Sequence, residues 1–194
     1  MMLPAVAPVA SLYVRTIPDG SHRRLLGFVA GYLLVWTASA VPAYALSLLV
    51  MHQISPHPTA ARLTAAGIFA VCGVYQLTGL KDRCLRHCRS PLGQLMRYAS
   101  YDGPGRDLRV GLHHAAYCLG CCWALMLLLF AFGTMTLLAA LGLCVLVVVE
   151  KLAPAGRQVS RLIGVAALGL AVVALFVPEL APGLAPMMPS PGGM

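Results

Sequence analysis

The stretch LHHAAYCLGCCWALMLLLFAF, residues 112–132, decides the fold. It contains no Asp, Glu, Lys or Arg, and a membrane-crossing helix needs about 20 consecutive, mostly apolar residues. Residues 25–51, 61–80 and 135–152 come close to the same pattern, and a shorter stretch, 162–177, is free of charge. With 59% hydrophobic and 10% charged residues, the 194-residue chain lies outside ordinary soluble composition. The expected fold is all-α: a polytopic transmembrane helix bundle with five full spans plus a partial N-terminal helix. The opening MMLPAVAPVASLY supplies the partial helix. It is apolar, too short to cross alone, and lacks a basic segment before it, so it reads as the end of a longer span rather than as a signal peptide. One integral membrane domain is expected over residues 1–178. A Pro/Gly/Met-rich tail, expected to be disordered, follows over 179–194.

The net charge of +8 does not indicate a nucleic-acid partner, because its distribution explains it. If every candidate span crosses, all the Lys and Arg residues except Arg62 fall on one side. They lie in the loop holding Arg15, Arg23 and Arg24, in the long loop from Lys81 to Arg109, and in the turn holding Lys151, Arg157 and Arg161. The positive-inside rule makes that side cytoplasmic and points the C-terminal tail, His52 and His57 outward. Within the long loop, SPLGQ and YDGPGRD read as turns, and KDRCLRHCR is expected to extend the preceding helix until Pro91 stops it. The sequence shows no phosphate loop, dinucleotide fingerprint, HExxH or convincing Ser–His–Asp set, so no enzyme activity is expected. No carboxylate sits centrally in a span, which argues against a proton relay.

Chemistry concentrates in the cysteines. Cys118, Cys121 and Cys122 stand at i, i+3 and i+4, which share one helix face, and Met126 extends that stripe. Cys84, His87 and Cys88 repeat the spacing in the basic loop. Thiolates and thioethers are soft ligands that select Cu(I), with Zn(II) as a second candidate. The alternatives are packing, since cysteine behaves as a small hydrophobe, and thiol redox, since Cys118 and Cys121 form a CxxC. A structural disulfide is not expected in a reducing cytoplasm. Topology suggests a relay, with the 84–88 cluster at the cytoplasmic boundary and the 118–122 cluster about two turns deeper. Gln76 needs a partner inside its span. Glu150 and Lys151 are expected to pair with each other or to snorkel. His113 and His114 are expected at the headgroups. Met1, Met2, Met187 and Met188 are weaker candidates, better explained by composition.

YQLTGLKDRCLRHCRSP, CLGCCWALM and VEKLAP together resemble the bacterial family of predicted metal-binding integral membrane proteins, over residues 1 to about 154. MMLPAVAP resembles the early Met-Met-x-Pro motif of that family. The CxxCC helix, the CLxHCR segment and the trailing Glu-Lys are its recurring features. Gly79 stands here where the family often has Pro, and Thr136 where Asn is common. The resemblance implies a Cu(I)-binding, chaperone-like protein of the bacterial inner membrane that supplies copper to an enzyme of the polyphenol oxidase type. The expected ligands are Cys118, Cys121, Cys122, Cys84 and Cys88, with His87 and Met126 assisting. The expected partners are the lipid bilayer and a recipient copper enzyme. A metal transporter, a membrane thiol oxidoreductase and a purely structural subunit are the competing readings.

Overall fold

The computed structural model describes residues 3–15, 21–54, 58–90, 93, 96, 103, 105–133, 136–177 and 182–184. Met1, Met2, His57, Pro91, Met187, Met188 and half of the two expected turn segments lie outside the described residues. Among those described, seven α-helices form: α1 (Leu3–Arg15), α2 (Ser21–Ile54), α3 (Pro58–Leu77), α4 (Gly79–Arg89), α5 (Arg106–Phe132), α6 (Leu137–Leu152) and α7 (Gly156–Phe176). A 3-10 turn, Pro182–Leu184, lies within the stretch expected to be tail, and its Leu184 is buried.

Four helices are long and apolar enough to cross a membrane: His22–Val50, Thr59–Leu77, Arg106–Phe132 and Gly156–Phe176. The expected span 135–152 is the 16-residue helix α6 and is not among them. At about 1.5 Å per residue it is shorter than the ~30 Å hydrocarbon core. Its last turn is spent on Glu150 and Lys151, which the protein interior takes up. The fifth expected stretch, 162–177, begins earlier and becomes the full-length α7.

Two seams hold the long helices. α2 packs on α5, and α3 packs on α7. Glycines make both possible: a Cβ on Gly111 would fall on the Phe28 carbonyl, and one on Gly73 would come 2.8 Å from the Gly164 carbonyl oxygen. In lipid, where no hydrophobic force drives helices together, such small residues let backbones approach and pack. α1 lies against α2. Tyr13 stacks on Phe28, its ring centroid 5.4 Å away, and its hydroxyl donates to the Asp107 carboxylate.

One local feature departs from the sequence reading. α3 does not run on through KDRCLRHCR; it stops at Leu77. Thr78 takes an extended conformation (φ −76°, ψ 150°), and its Oγ1 accepts from the Lys81 amide at 3.3 Å, capping a new helix. Threonine at an N-cap satisfies an amide that the first helical turn leaves free. The break lets α4 pack on α5 and reach α6, so α4 belongs to the bundle rather than to a loop.

Candidate metal centre

α4, α5 and the end of α6 meet at one junction. Cys118, Cys121 and Cys122 of α5 are 0%, 2% and 1% exposed. From α4, Cys88 brings its Sγ to 3.8 Å from Cys121 Sγ. Cys84 lies against the bare backbone of Gly120, where an added Cβ would stand 2.9 Å from the Cys84 Sγ. None of the seven cysteines, all of them among the described residues, forms a disulfide. The sequence suggests two separate clusters, but the structure puts a thiol of one in contact with a thiol of the other. The turn at Thr78 is the physical reason.

The three α5 thiols share a face, as their spacing requires. The Cys121 and Cys122 sulfurs both turn back to the Cys118 carbonyl, at 3.1 and 2.9 Å. Bonding of this kind to a carbonyl three or four residues back is common for short polar side chains in helices. Among the described residues, no group of three or more His, Cys, Asp or Glu is set to hold a metal ion. The close inter-helix pair is Cys88 with Cys121. Two sulfurs each about 2.3 Å from a shared ion at a tetrahedral angle stand about 3.8 Å apart, so this pair is within bridging reach of one ion.

Charged groups line the same junction. Lys81 is fully buried and pairs with Glu150 at 2.8 Å; its ammonium also donates to the Cys121 carbonyl. Gln76 Nε2 donates to the other Glu150 oxygen at 2.8 Å, and the Ser160 hydroxyl donates to Gln76 Oε1 at 3.2 Å. Gln76 thus finds the partner its position demanded. Lys151 does not pair with Glu150 beside it: its Nζ stands 3.0 Å from Cys118 Sγ. The Tyr32 hydroxyl is 3.5 Å from the same sulfur. Arg89 donates to the carbonyls of Ala153 and Pro154, tying the end of α4 to the turn after α6. Tyr75 donates to the Gly120 carbonyl.

On α4, the hydrogen bond to Cys121 and burial both push the Cys88 thiol well above its ordinary range, with the nearby Lys151 opposing them. Burial, with a smaller contribution from Cys121, raises Cys84. Both shifts favour the protonated thiol, which a bound metal has to deprotonate. His87 stacks on Tyr117 with centroids 3.9 Å apart and meets the edge of His113 at 5.3 Å. His114 is buried rather than placed at a surface. Met126 lines a cavity of about 710 Å³ between α2 and α5 with Trp36, Pro42 and Trp123. Cys72 and Cys144 lie apart from it, on α3 and α6.

Sequence reasoning missed Lys81, Glu150 and Lys151 as parts of the junction. It assigned Lys81 to a basic loop and left Glu150 and Lys151 to pair with each other or to snorkel. The available signal was the single carboxylate of VEKLAP in an apolar context, which requires a cation from elsewhere.

No curated protein and no solved structure matches the chain. A protein family described as PpoB2, copper chaperone, matches residues 1–174. The match runs from α1 through nearly all of α7 and takes in the three motifs that converge at the junction. The chain therefore belongs to the copper chaperone family PpoB2.

Proposed function

We propose that this protein is a membrane-embedded copper(I) chaperone or carrier. In this reading it holds its cargo between thiols of α4 and α5 and hands it to a copper enzyme. The observation that carries the reading is the 3.8 Å approach of Cys88 Sγ to Cys121 Sγ. It joins two soft donors from different helices, Cys121 buried and Cys88 half-buried, and Cu(I) is satisfied by few soft ligands. Cys118, Cys122 and Cys84 lie close by and supply alternative thiols, so the ion can move by exchanging one sulfur at a time. His87 and Met126 assist at the margins, and Zn(II) is the metal to exclude. The four apolar helices suit a bacterial inner membrane, with the basic segments on the cytoplasmic side and the C-terminus outside.

The test is Cu(I) stoichiometry and affinity for the purified full chain in detergent under reducing conditions, with Zn(II) as competitor. Wild type is compared with Cys118/Cys121/Cys122→Ser and with Cys84/Cys88→Ser. Both variants should lose tight Cu(I) binding, because the pair takes one sulfur from each cluster. Unchanged binding in both variants would falsify the reading. The same sulfur pair favours one rival, a thiol oxidoreductase, which requires Cys88 and Cys121 to cycle through a disulfide. Mass-shift thiol trapping during turnover with a dithiol substrate separates the two readings.

A further inference from the structure

We infer that Lys151 sets the valence preference of the thiol site, its ammonium favouring a monovalent ion held by two thiolates over a divalent ion held by the same two. The inference rests on the thiol-site reading above and adds to it a residue that touches the neighbouring thiol Cys118, one of the alternative ligands, rather than the ion.

The geometry is specific. Lys151 Nζ stands 3.0 Å from Cys118 Sγ, and the residue is 8% exposed. Its charge also acts on Cys121, Cys88 and Cys122. The other buried lysine cannot serve in the same way. Lys81 is neutralised by Glu150 at 2.8 Å, and that pair contributes no net charge to the junction. Asp82 and Arg157 also cancel each other, farther out. Arg89 is engaged by the Ala153 and Pro154 carbonyls. The Tyr32 hydroxyl is neutral.

The count of charge follows. Two thiolates and a monovalent cation carry one net negative charge, and Lys151 cancels it. Two thiolates and a divalent cation are already neutral, so Lys151 is left as an unbalanced buried positive charge. Uncompensated charge in a dry interior is strongly unfavourable, so the two cases differ by far more than a surface lysine could produce. An ammonium group can do this without occupying a coordination position.

The experiment measures Cu(I) and Zn(II) affinities separately, each by competition with a chelator, on the full chain in detergent under reducing conditions. Wild type, Lys151→Met and Lys151→Arg are compared. Lys151→Met should lose Cu(I) affinity by at least about tenfold while Zn(II) affinity holds or rises, and Lys151→Arg should keep the wild-type ratio. General loosening of the fold would weaken both metals together and leave the ratio alone. A ratio in Lys151→Met within about twofold of wild type overturns the inference. So does a parallel fall of both affinities, which is also what a three-thiolate zinc site would give. If Lys151→Met is not monodisperse, Lys151→Gln carries the same test with a polar tail. Wild-type protein with no thiol-dependent Cu(I) binding overturns the parent reading and this one with it. Thiol-dependent binding with an unchanged ratio overturns this one alone.

Discussion

Two ion pairs of almost equal length begin at adjacent residues of α4. Lys81 meets Glu150 at 2.8 Å with side chains 0% and 2% exposed; Asp82 meets Arg157 at 2.9 Å with the arginine side chain 63% exposed. Distance does not distinguish them, but environment does. The inner pair has no water to fall back on and is linked to Gln76 and the Cys121 carbonyl. The outer pair competes with solvent and ions. A buried pair is seldom the most stabilising way to fill a space, since well-packed apolar residues often do as well. Its presence beside the thiols points to a role in fixing α4 against α5 and α6.

The largest expected effect breaks the inner pair from one side. Lys81→Met leaves Glu150 as a buried, unpaired carboxylate and should cost about 3–5 kcal/mol. The measurement is thermal unfolding in detergent. The double variant Lys81→Met/Glu150→Leu sharpens the comparison, because it removes both charges and should recover most of that loss. A double variant as unstable as the single would mean that the pair matters for shape rather than for charge.

The α3–α7 seam predicts a smaller loss by another mechanism. A methyl at Gly73 would approach the Gly164 carbonyl oxygen at 2.8 Å and Leu168 Cγ at 2.7 Å. Backbone cannot step aside as a side-chain tip can, so Gly73→Ala should cost about 1–3 kcal/mol through helix separation. Gly120→Ala meets the Cys84 sulfur instead, at 2.9 Å. A thiol can rotate away, so this change should leave the melting temperature nearly unmoved. It should still weaken Cu(I) binding measurably if Cys84 takes part in holding the ion, and an unchanged affinity removes Cys84 from the ligand set.

The same contrast explains what was legible in the sequence. Apolar length announces itself: α2 and α3 could be read from it within a few residues, while α5 and α7 begin about two turns before the expected stretches. The i, i+3, i+4 spacing placed Cys118, Cys121 and Cys122 on one face, because helix geometry alone decides that. The meeting of Cys88 with Cys121 was not legible. It depends on Thr78 ending α3 one turn before Lys81, and a threonine followed by glycine is a weak signal against a long apolar run. Lys81 was read as a loop cation for the same reason. Glu150 and Lys151 were visible as a charged dipeptide, but adjacent helical residues point in different directions, so each reaches a different partner. The apolar setting of Glu150 signals that it needs a cation, but not which one.

The smallest expected effect tests the outer end of the comparison. Arg157→Gln removes the partner of Asp82, but Asp82 is itself partly exposed and can be hydrated in its place. Exposed pairs of this kind contribute about 0–1 kcal/mol and fade with salt. Arg157→Gln should therefore lower stability by less than about 1 kcal/mol, with the difference vanishing in high salt. Cu(I) affinity should not change, since Arg157 touches no thiol. A loss comparable to that of Lys81→Met would mean that the rim of α4 is drier than its exposure suggests. The contrast between the two pairs would then reflect their partners rather than their burial.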